Sequence, residues 1–213
     1  MPSSPRPRVL LADDHALVAA GLSKLLESEF DLVGAVPDGR ALVAAAQDNH
    51  PDVVLLDISM PNLNGLEAAR QIRTTVPYCK LIFVTVHSDA AYVAEAFRAG
   101  ASGYVLKGSA ASELSTAVHE VLNERMYLTP LIARTALEGV LDAVDQHPEL
   151  LSARQREVLQ LVAEGYSAKE IAGILKISPK TVEFHKGLVM KRLDLHSTAE
   201  LTRYALEHGI TGN

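Results

Sequence analysis

The sequence predicts an α/β domain followed by an all-helical region, so the fold class is α/β plus all-α. Between Arg8 and about Asn123, short apolar runs alternate with longer amphipathic stretches. This alternation predicts βαβ units whose right-handed crossovers build a doubly wound, five-stranded parallel sheet with helices on both faces. After Leu151 every periodic stretch has helical spacing, so only helices are expected there.

Composition narrows the class of protein. The chain has 213 residues, 48% of them hydrophobic and 22% charged, as is typical of a globular protein of one or two domains. Its single cysteine, Cys79, excludes a disulfide framework and a cysteine-based zinc site. No apolar run approaches the ~18 residues that a membrane span needs, and no secretory signal is visible. We therefore expect a cytoplasmic protein without a membrane partner.

The predicted elements follow in regular order. Strands are expected at 8–12, 32–36, 52–57, 80–85 and 103–106, and helices at 15–28, 38–48, 64–75, 89–99 and 110–123. Thr129 and Pro130 can begin a further helix, as N-cap and first-turn proline, that continues to about Val144. Asp145–Pro148 then breaks it. The predicted division is a domain at 6–123, a helical linker at 124–148 and a second domain at 149–213.

Polar side chains follow the apolar runs at their C-terminal ends. Asp57 comes after Val53–Leu56, a run typical of a strand buried on both faces. The carboxyl ends of parallel strands are where ligands bind in open α/β sheets, so we interpret these polar residues as one site. The others are Asp13 and Asp14 after the run at 9–12, Thr85 at the end of the run at 81–84, and Lys107 after the run at 104–106.

The adjacent acids indicate a cation. Asp13 and Asp14 repel each other unless a positive charge lies between them. Mg²⁺, held by carboxylates and water, suits a phosphoryl site. Taken singly, the acids have structural alternatives, since Asp13 and Asp14 can cap a helix near His15, and Asp57 can open a turn. Their common position at one sheet edge favours the functional interpretation, and His15 is interpreted as a helix-start residue rather than a ligand.

Further motifs accompany these residues in order and at the expected spacings. They are Leu-Leu-Asp-Ile-Ser-Met-Pro around Asp57, Asn64-Gly65, Ala99-Gly100-Ala101 and Tyr104-Val105-Leu106-Lys107. Together with Asp13, Asp14 and Thr85 they resemble the receiver domain of two-component systems over about residues 6–123. The resemblance implies a flavodoxin-like sheet of strand order 2-1-3-4-5. It also implies that Asp57 accepts a phosphoryl group from a sensor histidine kinase or a small phosphodonor.

The resemblance assigns roles to the neighbouring residues. Asp14, Asp57 and the Ser59 backbone carbonyl would coordinate Mg²⁺, with Asp13 acting partly through water. Lys107 would pair with one phosphoryl oxygen and the Thr85 hydroxyl would bond another, which frees space for Tyr104 to rotate and changes the 89–106 surface. Each of these residues also has a structural alternative: Thr85 as an ordinary strand residue, Tyr104 as a half-buried aromatic ring and Lys107 as a solvated lysine.

Two positions depart from the receiver pattern. Gly108 follows Lys107 where many receivers have proline, so a cis peptide before a proline is not expected and the loop can be looser. Val86 follows Thr85 where a small residue is common. Its bulk is predicted to hinder the access of water to the acyl phosphate and to slow hydrolysis.

The region after Leu151 has the layout of a helix-turn-helix domain. Helices are expected at 153–164, 168–175, 179–193 and 197–208. A short helix, a tight turn and a longer basic helix is the arrangement that places the second helix in the DNA major groove. Although the whole chain has a net charge of −6, residues 176–192 contain five basic side chains and one Glu. This local excess can meet a polyanion.

The motifs of this region also resemble a known family. They are Leu151-Ser152, Glu157-Val158-Leu159, Lys169-Glu170-Ile171-Ala172, Ile177–Val182 and Lys191-Arg192-Leu193. They resemble the four-helix LuxR-type DNA-binding domain over about 149–211. A receiver followed by this domain resembles a response regulator of the NarL/FixJ type.

The longer basic helix is predicted to read the DNA. Lys180, Thr181, Lys186 and Lys191 are candidates for phosphate contacts. Glu183 can accept from a cytosine amino group, Phe184 can contact a thymine methyl, and Gly187 can permit close backbone approach. The alternative for Glu183 is an ion pair with Lys180 or Lys186. Helical spacing assigns the buried face of this helix to Val182, His185, Val189 and Leu193.

The sequence therefore predicts a phosphorylation-controlled transcription regulator and not an enzyme, apart from its own Mg²⁺-dependent phosphorylation at Asp57. Expected partners are a sensor histidine kinase, double-stranded DNA, a second copy of the chain after phosphorylation, and RNA polymerase. The rival from another class is a phosphotransfer module whose helical domain binds protein. A haloacid-type phosphatase is a weaker rival, because Ser59 stands where that class has a second Asp.

Overall fold

One parallel sheet forms the centre of the first part of the chain. The structure is a computed structural model that describes residues 6–133 and 151–211. The sheet has the order β2-β1-β3-β4-β5-β6 and consists of β1 (Arg8–Ala12), β2 (Asp31–Val36), β3 (Val53–Leu56), β4 (Lys80–Thr85), β5 (Gly103–Leu106) and β6 (Tyr127–Leu128). Every strand pair is parallel. The predicted order of the first five strands is confirmed, and the short sixth strand was not predicted.

Helices cover both faces of this sheet, as predicted. α1 (Ala16–Leu26) and α5 (Ala110–Leu122) pack on one face, and α2 (Gly39–Asn49), α3 (Gly65–Thr75) and α4 (Ala90–Arg98) pack on the other. The alternation of side chains along a strand supplies both cores, since Val9 and Leu11 of β1 join one cluster and Leu10 and Ala12 join the other. Burial on both faces explains why these strands are continuous apolar runs.

The helix boundaries differ from the predictions by one or two residues. The helix expected at 15–28 ends at Leu26, because the chain turns there and buries Phe30, which is 2% exposed, under the sheet face. The helix expected at 89–99 covers only 90–98. Asp38 and Asn64 begin α2 and α3, and their side chains accept hydrogen bonds from backbone N–H groups of the first turn.

The sixth strand lies in the part of the chain that was predicted to be a helical linker. After α5 the chain returns to the free edge of β5, where the Thr129 N–H donates to the Tyr104 carbonyl at 3.0 Å. The Thr129 hydroxyl accepts from the Leu106 N–H at 3.1 Å and donates to Glu113 at 2.8 Å. A helix begins at Pro130, as predicted, and the predicted helix beyond residue 133 lies outside the described residues.

The described residues after 150 are helical and have a core of their own. They form α6 (Ala153–Ala163), α7 (Ala168–Leu175), α8 (Pro179–Leu193) and α9 (Thr198–Glu207) around a separate apolar cluster. A capping box of Ser152 and Gln155 begins α6, and a second one, of Ser167 and Glu170, begins α7. Among the described residues, no helix is both long and apolar enough to cross a bilayer.

Candidate functional site: an acidic pocket at the sheet edge and a basic helix

Four of the predicted site residues meet at the carboxyl edge of the sheet. Asp13 follows β1, Asp57 follows β3, Thr85 ends β4 and Lys107 follows β5. Asp13, Asp57 and Thr85 are 4%, 3% and 0% exposed. Two buried carboxylates need a compensating positive charge, because an unpaired buried charge is strongly unfavourable.

Lys107 supplies that charge. Its Nζ lies 2.7 Å from an oxygen of Asp13 and 2.7 Å from an oxygen of Asp57. Burial alone lowers the pKa of Lys107, but the hydrogen bonds and charges of the two carboxylates outweigh burial and leave the pKa above its ordinary value. The ammonium is therefore fully charged at neutral pH and bridges the two acids.

The same pocket has the donor set of a hard divalent cation. The ligand atoms of Asp13, Asp14, His15 and Asp57 lie within 4.8 Å of one another. Lys107 shows that the position between Asp13 and Asp57 accepts positive charge, and carboxylate oxygens are the ligands that Mg²⁺ prefers. The chemistry of the pocket therefore fits the predicted Mg²⁺. His15 is the N-cap residue of α1, as predicted, and its Nδ1 lies 2.8 Å from an oxygen of Asp14.

Hydrogen bonds to neighbouring backbone groups fix the position of Asp57 and of its carboxylate. The Asp57 N–H donates to the Ala12 carbonyl at 3.0 Å, and the Ile58 N–H donates to the Asp57 side chain at 2.7 Å. A Cβ on Gly65 would lie 1.9 Å from the Asp57 carbonyl oxygen. The start of α3 therefore packs directly against the backbone of Asp57, which explains why glycine is needed at this position of the Asn64-Gly65 motif.

The predicted switch residues are buried beside the acids. Thr85 ends β4, and its hydroxyl accepts a long hydrogen bond of 3.4 Å from the His87 N–H. The Tyr104 ring is 0% exposed, and its hydroxyl donates to the His87 carbonyl at 3.0 Å. Burial raises the pKa of Tyr104 far above its ordinary value, so the hydroxyl remains a donor. Tyr104 thus lies inward in this structure, and the space into which it was expected to rotate is already filled by its ring.

His87 borders the pocket, although no sequence motif indicated this position. Its Nε2 lies 2.9 Å from the Ser59 hydroxyl, in the loop whose backbone carbonyl was assigned to Mg²⁺ by resemblance. Burial is the main cause that lowers the pKa of His87, and the charge of Lys107 lowers it further. The charges of Asp57 and Asp89 act in the opposite direction. A lone histidine two residues after Thr85 has no motif around it, so only the fold could show this contact.

The two departures from the receiver pattern lie at the surface of the pocket. Val86 is 70% exposed, and a Cβ on Gly108 would meet no atom within 4 Å. The predicted slow hydrolysis of the acyl phosphate stays a prediction. An acyl-phosphate half-life no longer than that of a Val86→Ala variant would contradict it.

The predicted reading helix α8 presents its candidate residues to solvent. Lys180, Glu183, Gly187 and Lys191 are exposed, Phe184 is 61% exposed, and Thr181 and Lys186 are partly exposed. On the buried face Val182 and Val189 are 1% exposed, whereas His185 and Leu193, also assigned there, are only partly buried. The alternative ion pair of Glu183 does not form among the described residues, and Lys186 donates instead to Thr198 at 3.1 Å.

The helical domain contacts the loop that follows Asp57. Gln160 of α6 accepts from the Asn64 N–H at 2.9 Å and donates to the Met60 carbonyl at 3.1 Å. Arg156 of α6 forms an ion pair of 2.8 Å with Glu67, which is 2% exposed. The exposed residues of α8 take no part in these contacts, so the reading helix stays accessible while the two domains are in contact.

Comparison with known proteins follows this division of the chain. Residues 9–119 match the family model of the response regulator receiver domain. Residues 149–205 match the model of bacterial regulatory proteins of the luxR family. The fold and the pocket thus define a receiver domain joined to a helix-turn-helix domain.

Known proteins match this chain over nearly their whole length. The chain is 36% identical over 206 residues to the response regulator UvrY of Escherichia coli K12. That alignment covers 95% of this chain and 94% of UvrY. It is 34% identical over 210 residues to the oxygen regulatory protein NreC of Staphylococcus carnosus, covering 94% of this chain and 97% of that protein. Salmonella typhimurium RcsB is similar in structure, with 26% identity, a TM-score of 0.67, and coverage of 96% and 99% of the two chains. The chain therefore belongs to the response regulators that carry a LuxR-type DNA-binding domain.

Proposed function

We propose that this response regulator accepts a phosphoryl group at Asp57 from a sensor histidine kinase and that phosphorylation controls its dimerisation and sequence-specific DNA binding. The observation that supports this most directly is the bridge of Lys107 to Asp57 and Asp13 at 2.7 Å each. A nucleophilic carboxylate beside a fixed ammonium is suited to take up a phosphoryl group, whose added charge needs cations close by. The domain boundaries 6–123, 124–148 and 149–213 are also part of this proposal, with the first residues of the 124–148 segment, β6 and Thr129, pairing with the receiver sheet.

The proposed step is an in-line transfer. An oxygen of Asp57 attacks phosphorus, the new O–P bond forms as the N–P bond of a phosphohistidine breaks, and the leaving imidazole nitrogen takes up a proton. Lys107 moves from its bridge to pair with a phosphoryl oxygen. When bound by Asp14, Asp57 and the Ser59 carbonyl, with Asp13 acting partly through water, Mg²⁺ supplies charge neutralisation on the phosphoryl oxygens. The phosphoryl group ends on Asp57 of the protein itself, so no turnover of an external substrate is expected.

The signal leaves the pocket through Thr85. We propose that its hydroxyl turns to a phosphoryl oxygen and that this movement shifts the Tyr104 environment and the 89–106 surface. Thr85 and Tyr104 both form hydrogen bonds with the backbone of His87, in the 86–89 loop. A movement of one residue is therefore transmitted to the other through this loop.

DNA binding is assigned to α8. Lys180, Thr181, Lys186 and Lys191 contact backbone phosphates, while Glu183, Phe184 and Gly187 face base edges. Two domains in one dimer bind the two halves of a pseudo-palindromic site, and the second half-site then binds intramolecularly. RNA polymerase is the proposed further partner at promoters, and the cytoplasm is the proposed location.

The test combines phosphorylation with DNA binding. Incubation with acetyl phosphate and Mg²⁺ is expected to add about 80 Da, the mass of a phosphoryl group, to the parent and not to Asp57→Asn. The exposed Asp48→Asn on α2 is the matched control and should behave as the parent. Phosphorylation should also raise the dimer fraction and the affinity for an operator fragment.

The salt dependence of that affinity separates DNA binding from protein binding. Each lysine removed from α8 should reduce the slope of log affinity against log salt by about one unit. An unmodified Asp57 in the parent, or an affinity without salt dependence, would overturn the proposed function.

A further inference from the structure

His87 joins four parts of the receiver. Its backbone N–H donates to Thr85 at 3.4 Å, and its carbonyl accepts from Tyr104 at 3.0 Å. Its ring meets the Ser59 hydroxyl at 2.9 Å on one side. On the other side the ring stacks on Tyr92 of α4, with ring centroids 4.0 Å apart and an angle of 17° between the planes. One residue therefore contacts the loop after Asp57, both switch residues and the start of α4.

Tyr92 in turn contacts the DNA-binding domain. Its ring lies directly against Gly209, just after α9, where an added Cβ would lie only 1.8 Å from the ring. Gly209 also has a φ of +62°, so two independent constraints require glycine there. We call residues 209–211 the C-terminal turn.

A second contact holds the C-terminal turn from the side of Asp57. The Asn64 side chain, 5% exposed, donates to the Ile210 carbonyl at 3.0 Å and also caps α3. The C-terminal turn is thus held between two segments of the receiver. One follows Asp57 and the other follows Thr85, so both border the proposed phosphorylation site.

On the basis of the proposed function, we propose that His87 is a positioning residue that transmits the phosphorylation state of Asp57 to the contact between Tyr92 and the C-terminal turn. A movement of Thr85 toward a phosphoryl group displaces the His87 backbone, to which the Thr85 hydroxyl is bonded. The ring is fixed at Ser59, so this displacement changes its stack with Tyr92. The support of Gly209 by Tyr92 is then lost, and the C-terminal turn is released.

Two variants separate the two contacts of the ring. His87→Phe keeps an aromatic ring for Tyr92 and loses the bond to Ser59, whereas His87→Gln keeps a polar group for Ser59 and loses the stack. Ser59→Ala removes the hydroxyl and leaves the backbone carbonyl in place. The measurement is amide hydrogen exchange of peptides covering 58–66 and 205–211, where the Ile210 N–H donates to the Ala205 carbonyl at 2.8 Å. Exchange is followed with and without acetyl phosphate and Mg²⁺ and is expressed per phosphorylated chain, as measured by intact mass.

In the parent, phosphorylation is expected to raise exchange at 205–211 about tenfold, within the usual range of coupling between sites. In His87→Phe and His87→Gln the rise per phosphorylated chain should be less than about twofold. Combining Ser59→Ala with His87→Phe should cause no further loss, because both remove the same bond. A role of His87 that does not act through Ser59 predicts additive losses instead.

Gly209→Ala provides the positive control. It should raise exchange at 205–211 without phosphorylation, because its Cβ cannot fit against Tyr92. Gly165→Ala is the matched control, since Gly165 also has a positive φ, +89°, but has no atom within 4 Å of an added Cβ.

The outcomes distinguish this inference from the proposed function. A parent that takes up no phosphoryl group overturns both. A parent that is phosphorylated without a change at 205–211 overturns the inference alone. Histidine variants that respond as the parent does also overturn it.

Discussion

The ammonium of Lys107 compensates the negative charges of two buried carboxylates that would otherwise repel each other. The ammonium bridges Asp13 and Asp57. It therefore occupies space that a divalent cation or a phosphoryl group would need. The side chain is only 12% exposed, so the charge is poorly screened by water. Lys107 therefore stabilises the pocket as it stands in this structure, and the proposed occupation of the pocket would require it to leave Asp13.

Lys107→Met is expected to lower the free energy of unfolding of the receiver by about 3 kcal/mol, since it leaves two buried carboxylates without a counter-charge. Added Mg²⁺ should restore more stability to the variant than to the parent, because a cation replaces the ammonium. Urea unfolding with and without Mg²⁺ measures both effects. The control is Lys80→Met, which removes an exposed ion pair with Glu124 and should cost under about 1 kcal/mol. Equal losses at the two lysines would contradict this account.

Cys79 provides a second residue-scale prediction with a pH dependence. The thiol is 3% exposed, and burial raises its pKa to about 12. At pH 8 the reactive thiolate should therefore be about a thousandfold scarcer than in the unfolded chain, where the pKa is ~8.5. Labelling by a maleimide should be slow in native protein, fast in urea, and faster as pH rises toward the folded pKa. Rapid labelling of the native protein at pH 8 would be inconsistent with this burial.

The residues of the pocket were predictable to different degrees. Asp13, Asp57, Thr85 and Lys107 each end an apolar run, so the rule that parallel strands end at one edge was enough to bring them together. His87 was not predictable in this way. It stands alone in a loop, and its contacts to Ser59 and Tyr92 depend on how that loop folds back.

At the scale of elements, the predicted reading helix α8 contains an interior residue that does not favour helix. Gly187 lies in the middle of the helix, where glycine lowers helix stability, and an added Cβ there would meet no atom within 4 Å. Nothing within the described protein explains this glycine. A close approach of the helix backbone to DNA would explain it.

Gly187→Ala is therefore expected to have opposite effects on folding and on binding. The DNA-binding domain should gain about 0.5–1 kcal/mol of stability, because alanine favours helix. Operator affinity should fall, because the methyl group holds the helix away from the groove. Thermal unfolding and an electrophoretic shift measure the two effects. Gly173→Ala, in α7 with equally open space, is the control and should gain stability without losing affinity.

Most elements followed from periodicity and helix caps in the sequence, but β6 did not. Only Tyr127 and Leu128 form it, and two residues carry no alternating pattern. The free edge of β5 and the hydrogen bonds of Thr129 create this strand, and such tertiary pairing is invisible in a local stretch of sequence.

At the scale of the whole molecule, the domains meet through polar contacts of α6 and of Asn64 and through the ring of Tyr92, and α8 stays exposed. Gln160 is 1% exposed and joins Asn64 to the Met60 carbonyl. These contacts lie next to the loop of Asp57 and do not cover the predicted reading helix. The sequence could not predict this interface, since an isolated glutamine in α6 has no signature of a partner.

Gln160→Ala should loosen the domain contact without unfolding either domain. It leaves the buried Asn64 N–H and Met60 carbonyl without their partner, which costs about 1–3 kcal/mol. Amide hydrogen exchange at 58–66 should rise in the unphosphorylated protein. The exposed Gln47→Ala on α2 is the control and should leave exchange there unchanged. Unaltered exchange in Gln160→Ala would show that this contact does not join the domains.

The hydrogen bonds of Thr129 also decide where the receiver can be cut for separate study. A fragment that stops at Asn123 would strip the outermost strand from the sheet and expose the β5 edge, and bare strand edges invite association with other chains. A fragment that extends to Ala133 retains Thr129 and its bonds to β5. Only the longer fragment should therefore remain monodisperse at high concentration.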